Sequence, residues 1–172
     1  MAKQPETNIV FEIYEDGNSF LGLTQATLPN IAFIVQQING AGVNGNVDIP
    51  IAGMMEAMEL GLNFRSATDA ATSLAAPKTH HIDLRVAAQY WDTVKSEYGV
   101  EADKYVMRVL PKSMNPGNIQ PATPGDSAGT YSVLYYAGYR DGKKLWEIDP
   151  MNYICYVKGK DYFAPVRKAL GK

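Results

Sequence analysis

The stretch Tyr131-Ser132-Val133-Leu134-Tyr135-Tyr136-Ala137-Gly138-Tyr139-Arg140-Asp141-Gly142-Lys143-Lys144-Leu145-Trp146-Glu147-Ile148-Asp149 decides the fold class. Aromatic and β-branched residues fit a pleated, half-buried surface. Asp-Gly between two such runs is a strong two-residue hairpin signal, because the favoured turn needs positive φ at both positions. The stretch therefore predicts two long antiparallel strands around Asp141-Gly142. On strict alternation, Tyr131, Val133, Tyr135, Ala137 and Tyr139 share one face of the first strand. In the return strand, Leu145 and Glu147 alternate against Trp146 and Ile148.

Outward from this hairpin the chain reads as short strands. Residues 9–15 are β-prone, Asp16-Gly17-Asn18-Ser19 is a turn, and residues 20–27 return as the second limb of a hairpin. Residues 31–38 are apolar. An uncharged loop, Asn39 to Asn46, follows, and residues 47–51 are extended but broken at Pro50. Residues 55–65 fit strand better than helix. Asp69–Ala76 is helical, with Ser66, Thr68 or Asp69 as cap and Pro77 as stop. Ile82, Leu84, Val86, Ala88 and Tyr90 alternate as a strand that pairs with residues 104–110 across a polar link, 92–103. Residues 111–130, rich in Pro and Gly, read as a mobile loop. A strand at 153–158 and a short helix at 162–170 end the chain. The result is one mainly β domain over residues 1–172, an antiparallel sandwich or half-barrel with one or two short helices. It has an excursion near 39–50 and a mobile loop near 111–130.

Composition agrees. Of 172 residues, 46% are hydrophobic and 20% charged, and net charge is −2. A generic polyanion binder would be strongly basic. Charge is unevenly spread. Residues 1–60 hold seven acids against one base, net −6; the remaining 112 hold fifteen bases against eleven acids, net +4. Such parts either neutralise each other within one fold or meet between copies. A single cysteine, Cys155, excludes an intramolecular disulfide and a multi-cysteine metal site. It reads as a small hydrophobe in its strand. The first seventeen residues lack the apolar core of a signal peptide, and no run of ~18 apolar residues exists to span a membrane.

Sites for chemistry are sparse. His80 and His81 are the only histidines; as neighbours in a strand they point to opposite faces and cannot readily share a metal, so they read as solvated strand-start residues. They also leave little for a hydrolytic triad, and no Gly-x-Ser-x-Gly elbow is present. The glycine-rich loop lacks the Gly-Lys-Ser/Thr ending of a phosphate loop. Asp16-Gly17-Asn18 lacks the spaced acids of a calcium loop. The tyrosines at 131, 135, 136, 139, 153 and 156 read as sheet core and interface rather than a base-stacking platform. No catalytic, cofactor or metal residue is expected.

Three segments in order are more specific. They are Asp16-Gly17-Asn18-Ser19-Phe20-Leu21-Gly22 with Leu28-Pro29, then Gly40-Ala41-Gly42-Val43-Asn44-Gly45-Asn46-Val47-Asp48, then Asp141–Asp149 with Asn152, Gly159-Lys160-Asp161 and a basic final helix at Arg167-Lys168. Together they make the chain resemble the major tail tube proteins of contractile-tailed bacteriophages and related phage-tail-like bacteriocins. The resemblance implies a non-enzymatic structural subunit. Sheets join edge to edge into hexameric rings, and the rings stack into a β-barrel tube around a tape-measure protein. A sheath drives the tube through a bacterial envelope, and baseplate and tail terminator proteins complete the set of partners. DNA or ions pass as transient cargo, with no stable membrane association. Assembly is expected in the host cytoplasm, with release by lysis. The tube protein of a type VI secretion or extracellular contractile injection system shares these features and is the alternative reading; a monomeric β-sandwich binding module is a third.

Within that frame Asn39, Gly40, Gly42, Asn44, Gly45, Asn46 and Asp48 are expected to form an inter-subunit loop, since a Gly/Asn-rich segment is costly to order alone. Glu12, Glu15, Asp48, Glu56 and Glu59 are the candidate lumen or interface acids.

Overall fold

The computed structural model describes residues 3–20, 22–39 and 44–172. Among these residues twelve strands, β1 (Lys3–Glu15), β2 (Asn18–Phe20), β3 (Leu23–Thr27), β4 (Phe33–Ile38), β5 (Val47–Met55), β6 (Met58–Phe64), β7 (His80–Asp92), β8 (Glu97–Asn115), β9 (Ser127–Arg140), β10 (Lys143–Asp149), β11 (Ile154–Val157) and β12 (Lys160–Asp161), are joined by helices α1 (Asp69–Ser73) and α2 (Ala164–Ala169). One sheet runs β12-β11-β10-β9-β8-β7-β1-β2, with β6 on the first half of β9 and β3 on β6. β4 and β5 form a separate two-stranded ribbon. The large sheet curls but stays open between β1 and β3.

The expected hairpin at residues 131–149 is present. Asp141 and Gly142 both take positive φ (46° and 76°), as a two-residue turn that matches strand twist requires. The Asp141 carboxylate also accepts a hydrogen bond from the Ala102 amide at 3.1 Å, tying the turn to β8.

The expected single face of this strand is not present. Arg108 pairs with Tyr135 but Val109 with Val133, so Leu134 is an extra residue. This bulge shifts the phase: Tyr131, Val133 and Tyr136 point into the core, and Tyr135 points away from it. The bulge is also where β9 exchanges one neighbour for another, β6 before it and β10 after it.

The core lies between the curled sheet and β6. All four inward residues of β6, Met58, Leu60, Leu62 and Phe64, are buried, and Glu59 and Asn63 between them face water. They meet Ile13, Ile82, Leu84, Met107, Val109 and Ile148. The Thr68 hydroxyl caps α1 by accepting from the Ala71 amide, and Leu74 just beyond the helix is fully buried. Trp146 packs between Tyr105 and Tyr136, its indole directly over Gly138.

Other expectations are corrected. The limb after the 16–19 turn divides: only Asn18–Phe20 pairs back on β1, and Leu23–Thr27 crosses to β6, because β6 completes the core wall. Pro50 does not break its strand. It pairs with Val35 in a two-stranded ribbon, where β5 has a free edge that needs no N–H. The polar link 92–103 is mostly strand, with β7 and β8 in register from His80–Val109 to Asp92–Glu97. Residues 111–115 and 127–130 of the expected loop are likewise strand. His80 is not solvated but fully buried, as the next section describes.

Candidate assembly surfaces

Three features of the fold are incomplete in a single chain. The first is the outer edge of β1. β7 pairs with it along its length, but on the other side, among the described residues, β2 covers only Ile13–Glu15. Residues 3–12 thus present a bare edge about 30 Å long at ~3.3 Å per residue. Ile9 and Val10 stand on it, 53% and 57% exposed. Next to this edge, the opening between β1 and β3 is a cavity of about 360 Å³ that reaches Leu84, Val86 and Tyr105.

The second is the β4–β5 ribbon. Its register places Val35 opposite Pro50, Gln36 opposite Ile49, Gln37 opposite Asp48 and Ile38 opposite Val47. Directly opposed residues share a face, and faces alternate along each strand. One face therefore carries Ile34, Gln36, Ile38, Val47 and Ile49; the other carries Val35, Gln37, Asp48 and Pro50. At its base the ribbon leans on the C-terminal helix region, where Phe33 meets Phe163 edge-on and Gly53 lies against Val166. Further out, Ile38, Val47 and Ile49 are 40–47% exposed.

The third is the outer face of the β1-β7-β8-β9-β10 sheet. Cations lie over tyrosine rings here: Arg85 over Tyr14 at 4.6 Å, Arg108 over Tyr135 at 5.0 Å, and Lys144 over Tyr156 at 5.6 Å. Lys104 bonds Asp83 at 2.9 Å, and Lys144 bonds Glu147 at 2.6 Å. The Lys144 bond holds the Glu147 carboxyl below its usual range against the opposing effect of burial. Burial and then the Glu147 hydrogen bond push Tyr135 up.

The five candidate acids do not share one place. Glu12 takes the Tyr14 hydroxyl and Glu59 the Lys112 ammonium, both exposed. Asp48 is on the ribbon and Glu56 on the exposed link to β6. Glu15 turns inward instead. Its carboxylate meets Nδ1 of buried His80, whose Nε2 lies 3.0 Å from the Ala76 carbonyl. Both ring nitrogens of His80 thus face acceptors, and the residue ties the end of α1 to the end of β1. Tyr131 is pushed up to about 12 by burial, with the Glu15 charge adding to it. Of the candidate loop, Asn39, Asn44, Gly45, Asn46 and Asp48 are exposed around the ribbon tip. Gly40 and Gly42 lie outside the described residues. Among the described residues, no group of three or more His, Cys, Asp or Glu side chains can hold a metal ion.

An open-edged half-barrel with a projecting ribbon matches a known family. The phage tail tube protein FII family matches residues 5–171. The chain belongs to this family. A tail tube protein of Escherichia phage P2 is 25% identical over 166 residues, covering 94% of this chain and 95% of the relative. Among solved structures, a sheath/tube terminator of an extracellular contractile injection system aligns at a TM-score of 0.54 and 10% identity, over 78% of this chain and 96% of that one. That likeness is one of fold. As a member of this family the chain is a structural, non-enzymatic subunit of a phage tail tube. Sequence reasoning missed the bare β1 edge, because the hairpin it expected would have covered it. It also missed His80, whose burial depends on α1 folding over the start of β7.

Proposed function

We propose that this tail tube subunit joins copies of itself edge to edge into hexameric rings, and that the rings stack into a hollow tube. The observation that carries this reading is the bare edge of β1. A long exposed edge with aliphatic side chains is an aggregation hazard unless a partner strand covers it, and ring closure removes it. Residues 1–172 act as one tail-tube domain. The segment around Asn39, Gly40, Gly42, Asn44, Gly45, Asn46 and Asp48 is the inter-subunit element near 39–50. The turn region within 111–130 is its mobile surface loop.

A sheath surrounds the tube and drives it through the bacterial envelope, a terminator and a baseplate close its ends, and a tape-measure protein fills it during assembly. DNA or ions pass through the lumen. The particle forms in the host cytoplasm and leaves by lysis. Glu12, Glu56 and Glu59, all exposed, support a lumen or interface role for acids; Glu15, held by His80, is part of the subunit's own framework. The test is light scattering and electron microscopy of the purified chain. Rings and hollow tubes are expected. A species that stays near 18.9 kDa at high concentration, with no tubes, overturns the reading.

A further inference from the structure

Of the ten asparagines, two precede glycine, Asn39-Gly40 and Asn44-Gly45. Gly40 lies outside the described residues; Asn44 and Gly45 lie within them, both exposed, between β4 and β5. Gly45 has a φ of 119°, a conformation that residues with a Cβ rarely adopt, and a Cβ added there would meet nothing within 4 Å. The backbone thus demands glycine at 45, and no neighbour packs over it. Ile38–Val47 is the last pair of the ribbon, so the Gly45 N–H falls beyond the ladder. Among the described residues, neither that N–H nor the Asn44 carboxamide has a hydrogen-bond partner. Other asparagines are tied or blocked. The Asn63 carboxamide donates to Gln25 and that of Asn152 to Asp149. Asn115 accepts from the Gly117 amide, and the residue after it is Pro116, which has no N–H. The comparable dipeptide Asp141-Gly142 is fixed by the Ala102 amide.

We propose that Asn44 is a site of spontaneous covalent modification. The Gly45 nitrogen loses its proton and attacks Cγ of Asn44. The N–Cγ bond forms, the Cγ–Nδ2 bond breaks, and ammonia leaves with the proton, which closes a five-membered succinimide. Solvent water then opens the ring. Breaking the N–Cγ bond leaves aspartate. Breaking the bond between the Gly45 nitrogen and the Asn44 main-chain carbonyl carbon leaves isoaspartate, in which the chain runs on through Cβ and Cγ. One water is consumed and one ammonia released, with no redox change. The arrangement at the ribbon tip favours the first step: glycine has no side chain to shield its nitrogen, and the carboxamide is free to turn onto it. Residues 17–55 carry a single charged side chain, Asp48. Either product adds a second negative charge to that segment. Isoaspartate also lengthens the main chain by one carbon in the loop that joins Ile38 to Val47.

The test uses the full-length chain, incubated at mildly alkaline pH both folded and in guanidinium chloride. Peptide mapping by mass spectrometry follows position 44, and labelling with an isoaspartate methyltransferase identifies the rearranged product. Conversion at Asn44 in the folded chain is expected within threefold of its rate in denaturant, with isoaspartate among the products and a rate that rises with pH. Asn63 and Asn152 are expected to convert at least tenfold more slowly in the fold. Asn44→Gln, whose longer side chain would have to close a six-membered ring, is expected to keep its amide over the same interval. Conversion at Asn44 in denaturant but not in the folded chain would show that the fold shields the residue and overturns the proposal. Conversion that yields aspartate with no isoaspartate overturns it as well, since the succinimide route gives both.

Discussion

Gly138→Ala tests how tightly the C-terminal hairpin is packed. A Cβ built at Gly138 would lie 2.4 Å from the Trp146 ring, about 1 Å inside van der Waals contact. The ring cannot simply swing away. Tyr105 and Tyr136 hold it at centroid distances of 6.0 and 5.6 Å. Overpacking of this kind costs typically 1–3 kcal/mol. Alanine in a strand offsets about 0.5–1 kcal/mol of that relative to glycine. The net expectation is a loss of about 1–2 kcal/mol, or roughly 2–8 °C in Tm for a chain of this size. Gly138 has no positive φ, so the effect is steric alone. That permits a sign test. In a Trp146→Leu background the clash is removed, and Gly138→Ala should then stabilise by about 0.5 kcal/mol. Urea unfolding with a constant m-value measures both. An equal loss in the two backgrounds, or no loss in the wild type, refutes the packing argument.

Two further outcomes follow from ionisable groups. His80→Ala leaves the Glu15 carboxylate without its buried partner and should cost about 3 kcal/mol by urea midpoint, with His80→Gln recovering part of it by restoring one donor; a loss under 1 kcal/mol would show that the pair is not structural. Glu147 and Asp161 both have lowered carboxyl pKa values in the fold, Glu147 through Lys144, and Asp161 through Arg167 and two backbone N–H groups acting against burial. Their stabilisation is present above the unfolded carboxylate range and is lost as pH falls through the lowered folded values. The end of the chain, β10 to α2, should therefore loosen on acidification below about pH 4, read by hydrogen exchange at Tyr156 and Phe163, and Lys144→Met should flatten that dependence; protection unchanged down to pH 2 would contradict it.

What the sequence revealed was what is settled locally. Asp141-Gly142 needs only its own φ values, and α1 needs only Thr68 and an alanine run, although it ends at Ser73 rather than running on to Pro77. The buried face of β6 and the Ile82–Leu84 face of β7 follow from alternation over a few residues. What it hid depends on partners far along the chain. Nothing in Leu134 itself marks a bulge; it arises because β9 must leave β6 and join β10. Leu23–Thr27 is as compatible with β1 as with β6, and only the core decides. Residues 97–103 looked like a link because Glu97, Glu101 and Asp103 fall on the face that turns to the core elsewhere in β8. The Gly/Asn run drew attention to residues 39–48. The aliphatic face of the ribbon was hidden until the Val35–Pro50 register was known, and the acids could not be sorted by face without the order of the strands.

The solitary ribbon also bears on how growth starts. In the proposed ring-and-tube assembly, a subunit meeting one other subunit must immobilise a marginal hairpin for the sake of one contact. A subunit landing on a finished ring finds several neighbours already fixed in place. The first encounters are therefore unfavourable and the later additions favourable, so polymerisation has a threshold concentration and a lag that preformed rings abolish. A pool of free subunits can stay dispersed until a template is present, and the number of tubes is then set by the number of templates rather than by the amount of protein made.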